Sequence, residues 1–484
     1  MTHNTHAPPL WSAADLSVAL DQTITFSAHG LSIDTRTLKS GDLFIALAGK
    51  NYDGAQYAKK ALEKGAAGAI VPITYKNKFN NEPEVFGDQI IGDQLVYVDD
   101  TQQTLVALAK HRRAHTKATL MAITGSYGKT TTKEAFYHAF SHFLGKGSVH
   151  ATKGNYNNHI GLPLTLASLP LSAHLGIFEL GMNNPGEIRD LVKLLKPHLG
   201  FITTIGPVHL EYFKNIDQIA AAKSELIEGI IDGGNLCIAH DIFDEYPIFA
   251  QKCRDHAITP FTFGAPHELN PLEHKNHEMG CTLTDPSAPA HPFDVSAQKL
   301  TTLPSVHLPA AIATAAWIKD WNLSKIANIF NNFSLSAGRG AIYDLTIGHV
   351  PITIIDDAYN ASIDPLRLSI KRAQKNAPKR LVLVLGDILE LGPQSLNIHR
   401  QLIPILKQLP KSTLLVTVGD NMCQVAKDIA HHLPNQRCLN DATPIKDFLL
   451  TAIEPHDTIL FKGSNGIKLH QVVACLKDLS TQTP

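Results

Sequence analysis

Thr124-Gly125-Ser126-Tyr127-Gly128-Lys129-Thr130-Thr131-Thr132 is the stretch on which the reading of this chain turns. It follows an apolar run, Leu120 to Ile123, and opens a segment of helical pattern. A glycine-rich turn between a strand and a helix closes its backbone N–H groups around phosphate oxygens. The helix N-terminus adds partial positive charge. In that arrangement Lys129 holds the outer phosphates of ATP and Thr130 offers its hydroxyl to Mg2+. Thr124, Gly125, Ser126, Tyr127, Gly128 and Thr131 complete the expected ATP-binding loop. The spacing is G-x-x-G-K-T, because Ile123 stands where the longer G-x-x-x-x-G-K-[ST] pattern has its first glycine. The alternative is a strand–turn–helix corner carrying a surface lysine.

Outward from this loop, apolar strands alternate with helical segments. Leu175 to Leu180 and Phe201 to Ile205 read as further buried strands. Such alternation implies a parallel sheet covered on both faces. Upstream, Leu43 to Leu47, a helical stretch Ala55 to Lys64 stopped by Gly65, and Ala69 to Val71 form a small α/β unit. Tyr75 to Asp88 reads as a loop, and Thr101 to Lys117 as a helix. Downstream, Ile352 to Ile355, Leu381 to Leu385, Leu414 to Val418 and Thr458 to Phe461 are strands of a second doubly wound sheet. Residues 264–300, rich in Pro, His and Asn, fit either an antiparallel extension or a long loop. The chain therefore reads as α/β in three domains: a small α/β N-terminal domain (1–100), a central P-loop parallel-sheet ATPase domain (101–335) and a C-terminal Rossmann-like doubly wound domain (336–484).

Bulk properties agree. A chain of 484 residues exceeds one ordinary core, and 44% hydrophobic with 18% charged residues fits a folded soluble protein. A net charge of -1 lacks the basic excess of a nucleic-acid binder, so no nucleic-acid partner is expected. The six cysteines form no C-x-x-C pair, and the 25 histidines no H-E-x-x-H. Scattered cysteines fit a reducing compartment. The N-terminal stretch lacks a signal-peptide pattern, and no apolar run approaches the ~18 residues of a membrane span. A cytoplasmic protein with no membrane span is expected.

In doubly wound sheets, ligands gather beyond the carboxyl ends of the strands. Glu179 ends one strand there, and a hard magnesium ion favours its oxygens. His209, in Gly206-Pro207-Val208-His209, follows another strand; a lone histidine in such a place is more often a structural hydrogen-bonder. Lys223 lies in a helical run, where a lysine is usually a solvated cation. Asn155, Asn157 and Asn158 share one glycine-led loop, suited equally to ligand contact and to turn formation. Asp356-Asp357-Ala358-Tyr359-Asn360 and Gly386-Asp387 follow third-domain strands. Arg339, between two glycines at the junction, can either reach a transferring phosphoryl group or pack the domains through a salt bridge.

Taken together, T-G-S-Y-G-K-T-T-T-K-E, K-G-N-Y-N-N-H-I-G-L-P-L-T-L, F-E-L-G-M-N-N-P-G-E-I, G-P-V-H-L-E-Y-F, A-K-S-E-L, D-D-A-Y-N-A-S, V-L-G-D-I-L-E-L-G and F-K-G-S-N-G-I-K-L resemble the Mur ligase family over nearly the whole chain. The resemblance implies an ADP-forming ligase of peptidoglycan synthesis that joins a carboxylate to an amine through an acyl phosphate. It implies UDP-N-acetylmuramoyl-tripeptide and D-alanyl-D-alanine as partners, and a monomer. It further implies that Thr130 and Glu179 hold one magnesium and that His209 helps hold a second. Lys223 matches a family lysine that is often carbamylated, which would make it an anionic metal ligand. Arg339 would contact the γ-phosphate, with Asp357 and Asn360 on the nucleotide side. Thr35, Arg36 and Asp53 would face the UDP end of the precursor, and Asn155, Asn157 and Asn158 the substrate.

The chain departs from the family pattern in four places. Tyr127 occupies a loop position that is usually small or polar. His307-Leu308-Pro309-Ala310-Ala311 replaces His-Asn-x-x-Asn beside the adenine. Asp53-Gly54-Ala55 replaces D-G-H, and Ser362-Ile363-Asp364-Pro365 moves a proline away from Asn360. Two other functions compete: a sibling ligase with a different acceptor, and a non-catalytic nucleotide-binding regulator.

Overall fold

The computed structural model describes residues 8–49, 52–76, 92–145, 147–263, 279–284, 291–295 and 333–481. The chain builds three sheets in sequence. The first holds β1 (Gly30–Ser32), β2 (Asp42–Ile45), β5 (Gly68–Pro72) and β6 (Leu95–Val98), all parallel in that order. A short antiparallel pair, β3 (Ala48–Gly49) and β4 (Tyr52–Asp53), projects from it. The stretch expected to be helical from Ala55 begins as a 3-10 turn, Gly54–Tyr57, and becomes α-helix only at Ala58–Glu63. Gly65 ends it at φ +87°, a conformation that costs glycine little.

The second sheet is built on β7 (Thr119–Thr124), β8 (Val149–Ala151), β9 (Leu175–Glu179), β10 (Leu199–Ile202), β11 (Asn235–Ala239) and β12 (Thr259–Phe263). Its order, β12-β11-β10-β7-β9-β8, is parallel throughout. Two antiparallel strands, β13 (Met279–Thr284) and β14 (His291–Val295), extend its β12 edge. Of the two readings for residues 264–300, the described part is thus the antiparallel extension. Every residue of β9 is buried, as expected of a strand covered on both faces. The chain leaves β7 toward β9 and returns to β10 on the other side, so the loop after β7 stands at the topological switch point.

The third sheet contains β15 (Ala341–Ile347), β16 (Val350–Asp357), β17 (Leu381–Gly386), β18 (Leu414–Val418), β19 (Gln436–Leu439) and β20 (Asp457–Lys462). The order is β15-β16-β20-β17-β18-β19, parallel except for the antiparallel edge strand β15. Separate apolar cores line its two faces, one around Leu383, Leu385 and Leu460, the other around Val382, Val384 and Phe461. That split follows from side-chain alternation along each strand.

One continuous core joins the first two sheets. Helix Thr101–His115 buries Leu105, Leu108 and Ala109 in it, and Asp100 caps its start by accepting from the N–H groups of Gln102 and Gln103. Trp11 is fully buried; its indole donates to the Ala167 carbonyl at 3.0 Å, and the Arg112 guanidinium lies over its ring at 4.2 Å. Among the described residues no helix is long and apolar enough to cross a membrane, and the five described cysteines are free thiols. Most of the Tyr75–Asp88 stretch and the run His307 to Ala311 lie outside the described residues.

Candidate functional site at the switch point

Backbone conformation shapes the loop after β7. Gly125 has φ +150° and Gly128 φ +84°, and a Cβ on Gly125 would collide with the Thr203 hydroxyl. Residues just after β10 hold the loop from outside. Ser126 N–H donates to the Thr204 carbonyl, and Tyr127 N–H to Thr204 Oγ1. The Tyr127 carbonyl accepts from both threonine hydroxyls, at 2.7 and 2.9 Å. Ser126 Oγ donates to the Gly206 carbonyl at 3.1 Å. Helix Lys129–Leu144 then starts, so its free N–H groups face the loop.

Lys129 folds back, its ammonium donating to the carbonyls of Gly125 (2.7 Å) and Ser126 (3.3 Å). Burial pushes this amine below the ordinary lysine value, the nearby Glu179 charge opposes that shift, and Arg339 adds to it. Thr130 Oγ1 donates to Glu179 Oε2 at 2.9 Å, and Asn157 Nδ2 donates to Glu179 Oε1 at 2.8 Å. Arg339 reaches across from the C-terminal domain and donates to Thr130 Oγ1 at 3.0 Å, its guanidinium stacked 3.9 Å from the Tyr359 ring centre. Gly338, at φ +75°, aims it: its N–H donates to Asp356 Oδ2, and its carbonyl accepts from Tyr359 N–H. Among the described residues Arg339 makes no salt bridge, so of the two readings for it the reach toward the loop is what the fold displays.

Lys133 is a residue the sequence reading passed over. It is buried, with its ammonium 3.6 Å from Glu179 Oε2 and donating to the Gly154 carbonyl at 2.7 Å. It therefore joins the loop helix, the carboxylate and the asparagine-led loop. The available signal was its position four residues after Lys129, which places both on one helix face.

Lys223 is no solvated cation. It is 2% exposed, and among the described residues its amine has neither hydrogen bond nor ion pair. Burial, and then the Lys129 charge, hold its amine well below the usual lysine range. It sits in helix Ile216–Ser224, capped by Asn215. Two residues on, Glu225 caps the next element over: its two oxygens accept from the N–H groups of Gly186 (2.8 Å) and Arg189 (3.1 Å) at the start of helix Glu187–Leu195. His209 takes φ +55°, unusual for a residue with a side chain, and its Nδ1 lies 2.6 Å from Glu390 Oε2 in the C-terminal domain. Burial lowers its imidazole value, the Glu390 charge opposes, and Lys223 and Lys129 add to the lowering.

Other candidates stand apart. Asp357 accepts from Lys462 Nζ (2.6 Å) and Ser369 Oγ (2.6 Å), and exposed Asn360 offers its carbonyl to Lys462. Asp387 accepts from Met422 N–H at 2.7 Å and from Asn421, capping helix Asp420–Asp428. Asn158 caps helix Gly161–Ala167, while the Asn155 carbonyl accepts from Asn157 N–H. Asp53 caps the 3-10 turn at Ala55, and the Thr35 carbonyl accepts from Lys64. Arg36 is 87% exposed in its side chain and forks onto Asp34, which holds that carboxyl below its ordinary value. Its guanidinium lies within electrostatic reach of Tyr156 and Tyr57.

For magnesium, Thr130 and Glu179 present a hydroxyl and a carboxylate side by side, the hard oxygen donors this ion prefers. Among the described residues no three His, Cys, Asp or Glu cluster, so such an ion must complete its shell from other oxygens. An amine at Lys223 whose value burial holds well below the usual lysine range fits conversion to a carbamate, which supplies two.

Three sequence models match the chain in order: "Mur ligase family, catalytic domain" over residues 27–113, "Mur ligase middle domain" over 123–293, and "Mur ligase, glutamate ligase domain" over 345–465. Among curated relatives, the UDP-N-acetylmuramoyl-tripeptide–D-alanyl-D-alanine ligase of Bacillus subtilis is 30% identical over 93% of each chain. The protein of the same name from Rickettsia prowazekii is 29% identical over 96% of this chain and 99% of its own. Crystal structure II of MurF from Acinetobacter baumannii covers 97% of this chain and 99% of its own at TM-score 0.75 and 25% identity. MurF of Thermotoga maritima, solved with ADP, has the same fold at TM-score 0.66 and 22% identity, covering 94% of this chain and 98% of its own.

Proposed function

This chain belongs to the Mur ligase family, and from that premise we propose that it joins D-alanyl-D-alanine to UDP-N-acetylmuramoyl-tripeptide in peptidoglycan precursor synthesis, converting ATP to ADP and phosphate. The observation that carries the reading is the meeting of Thr130, Glu179, Asn157 and Arg339 at one point, with Lys129 beside them. Phosphate loop, carboxylate, substrate loop and a guanidinium from the facing domain all converge there.

The terminal carboxylate of the tripeptide attacks the γ-phosphorus, ADP leaves, and an acyl phosphate remains. The dipeptide amine then attacks the acyl carbon, and the resulting tetrahedral centre expels phosphate as the amine gives up a proton. Little covalent work falls to the protein, which aligns three substrates and neutralises charge. Lys129 exchanges its two loop carbonyls for phosphate oxygens. Thr124, Gly125, Ser126, Tyr127, Gly128 and Thr131 shape the cradle. Arg339 swings from Thr130 toward the γ-phosphate while Tyr359 supports its plane. Asp357 and Asn360 border the nucleotide. Thr35, Arg36 and Asp53 receive the UDP end of the precursor, and Asn155, Asn157 and Asn158 its peptide end.

Thr130, Glu179, His209 and a carbamylated Lys223 are the residues that would hold Mg2+, which supplies charge neutralisation at the phosphates when bound. The carbamate forms when the neutral amine adds to carbon dioxide and releases one proton; a depressed amine value keeps that neutral form available. The division into a precursor-binding unit (1–100), an ATP unit (101–335) and a C-terminal unit (336–484) belongs to the same proposal. So do action as a monomer and a cytoplasmic site.

A substrate matrix tests it. UDP-muramoyl-peptides of each length are paired with amino acids and dipeptides, and ADP formation is read. ADP release that needs both the tripeptide precursor and D-alanyl-D-alanine is expected. Release with neither would make the chain a plain nucleotidase, and preference for a single amino acid would make it a sibling ligase.

A further inference from the structure

Tyr127 sends its side chain out of the phosphate loop toward the C-terminal domain. Its hydroxyl donates to Asp364 Oδ2 at 3.0 Å, across 237 positions of sequence. We propose that Tyr127 and Asp364 form a strut that sets the C-terminal domain against the phosphate loop and so positions Arg339 for phosphoryl transfer. The inference rests on the ligase reading above.

Three observations make the contact a rigid one. The Tyr127 backbone is pinned at both its N–H and its carbonyl by Thr203 and Thr204. The ring lies against Gly206, where an added Cβ would stand 2.6 Å from the phenol oxygen and 2.8 Å from a ring carbon. Asp364 is fixed from its own side: it lies in the first turn of helix Ile363–Asn376, where a carboxylate is favoured, and its Oδ1 accepts from Arg367 at 3.0 Å. Burial and the Asp364 charge both raise the phenol's ionisation value, so the hydroxyl stays protonated and remains the donor.

Geometry gives the strut its use. Among the described residues the C-terminal domain hydrogen-bonds the loop and its helix through Tyr127 to Asp364 and through Thr130 to Arg339, beside the His209–Glu390 and Glu211–Glu390 contacts farther along the cleft. In the proposed reaction the second contact would break as Arg339 turns to the phosphate, and Thr130 is one of the residues that would hold Mg2+. The first involves neither, so it can persist and fix the distance over which Arg339 swings.

The test compares Tyr127→Phe, Asp364→Ala, Asp364→Asn and the double variant Tyr127→Phe/Asp364→Ala in the full chain. Two quantities are measured: kcat for ADP formation with precursor and dipeptide, and the Kd of an unhydrolysable ATP analogue. Tyr127→Phe keeps the ring on Gly206 and removes only the hydroxyl. A strut predicts kcat lower by about tenfold in Tyr127→Phe and in Asp364→Ala, as for loss of one hydrogen bond to a charged group. It also predicts a Kd within about twofold of the parent, and a double variant no worse than either single one. Asp364→Asn, which keeps an acceptor oxygen, should retain most of the activity. Unchanged kcat in Tyr127→Phe, a Kd that weakens in step with kcat, or losses that multiply in the double variant would overturn the strut. The unmodified chain carries the ligase reading in the same assay, so failure of that reading would be seen there and not in the variants.

Discussion

Two strand ends in this molecule carry carboxylates with similar surroundings in sequence and different work in space. At the end of β9, Glu179 binds Thr130 and Lys133 of the helix after the phosphate loop and Asn157 of the asparagine-led loop, side chains from two separate segments. Beyond β17, Asp387 accepts from the N–H groups of Asn421 and Met422 in the first turn of helix Asp420–Asp428, with the Asn421 side-chain amide and His399 beside it. Both are buried. A carboxylate at a strand's carboxyl end is thus a functional candidate only when its partners are side chains that a ligand can replace. One that fastens the backbone N–H groups of a helix's first turn, as Asp387 does, is part of the fold.

The comparison can be broken by substitution, and the largest effect should come from the loop. Lys129→Ala should lower ADP formation on the order of 10²–10³-fold, as for removal of a group that meets developing charge. Cooperative thermal unfolding should persist; normal turnover in a folded variant would remove the loop from the site. Next, Glu179→Ala leaves buried Lys133 without its counter-charge and should cost about 3–5 kcal/mol of stability by chemical denaturation. A loss under 1 kcal/mol would mean that solvent reaches Lys133.

Lys223→Met should act with the opposite sign, stabilising the unliganded protein by about 1–3 kcal/mol through loss of a desolvated amine, while activity falls. The parent's stability should rise with pH between the depressed folded value and 10.5, the ordinary lysine value. In that window the unfolded chain holds a proton that the folded chain lacks. Lys223→Met should flatten that slope, and a slope unchanged by the substitution would assign it to another group. Smallest is Asp387→Ala, expected to cost about 1–2 kcal/mol as a lost helix cap, with kcat/KM for ATP within about threefold. A loss of activity without loss of stability would place Asp387 with Glu179 instead.

Long buried strands and the phosphate loop were legible because their signals are local. Leu381–Gly386 is an unbroken apolar run, Leu414–Val418 is broken only by Thr417, and glycines punctuate Thr124 to Gly128. Gly30–Ser32, Val149–Ala151 and Gln436–Leu439 are too short, or too polar, to show a period. The site was legible as a set of residues but not as an arrangement. Nothing in the pattern around Thr130 announces Arg339, 209 positions away, or ties His209 to Glu390. Lys133 was missed because its one local signal, the spacing of four from Lys129, puts it on the same helix face without marking it as buried. Its depth depends on Glu179 and Gly154 arriving from other segments.

The cap made by Glu225 has a mechanical consequence. Gly186 follows closely on the strand that ends in Glu179, and Glu225 follows two residues after Lys223, so one carboxylate fastens the backbone behind both. Strand and helix then travel as a single block whatever the outer domains do. Any movement of the outer domains would leave the spacing between those two side chains untouched, and the Mg2+ proposed above would meet both of them together.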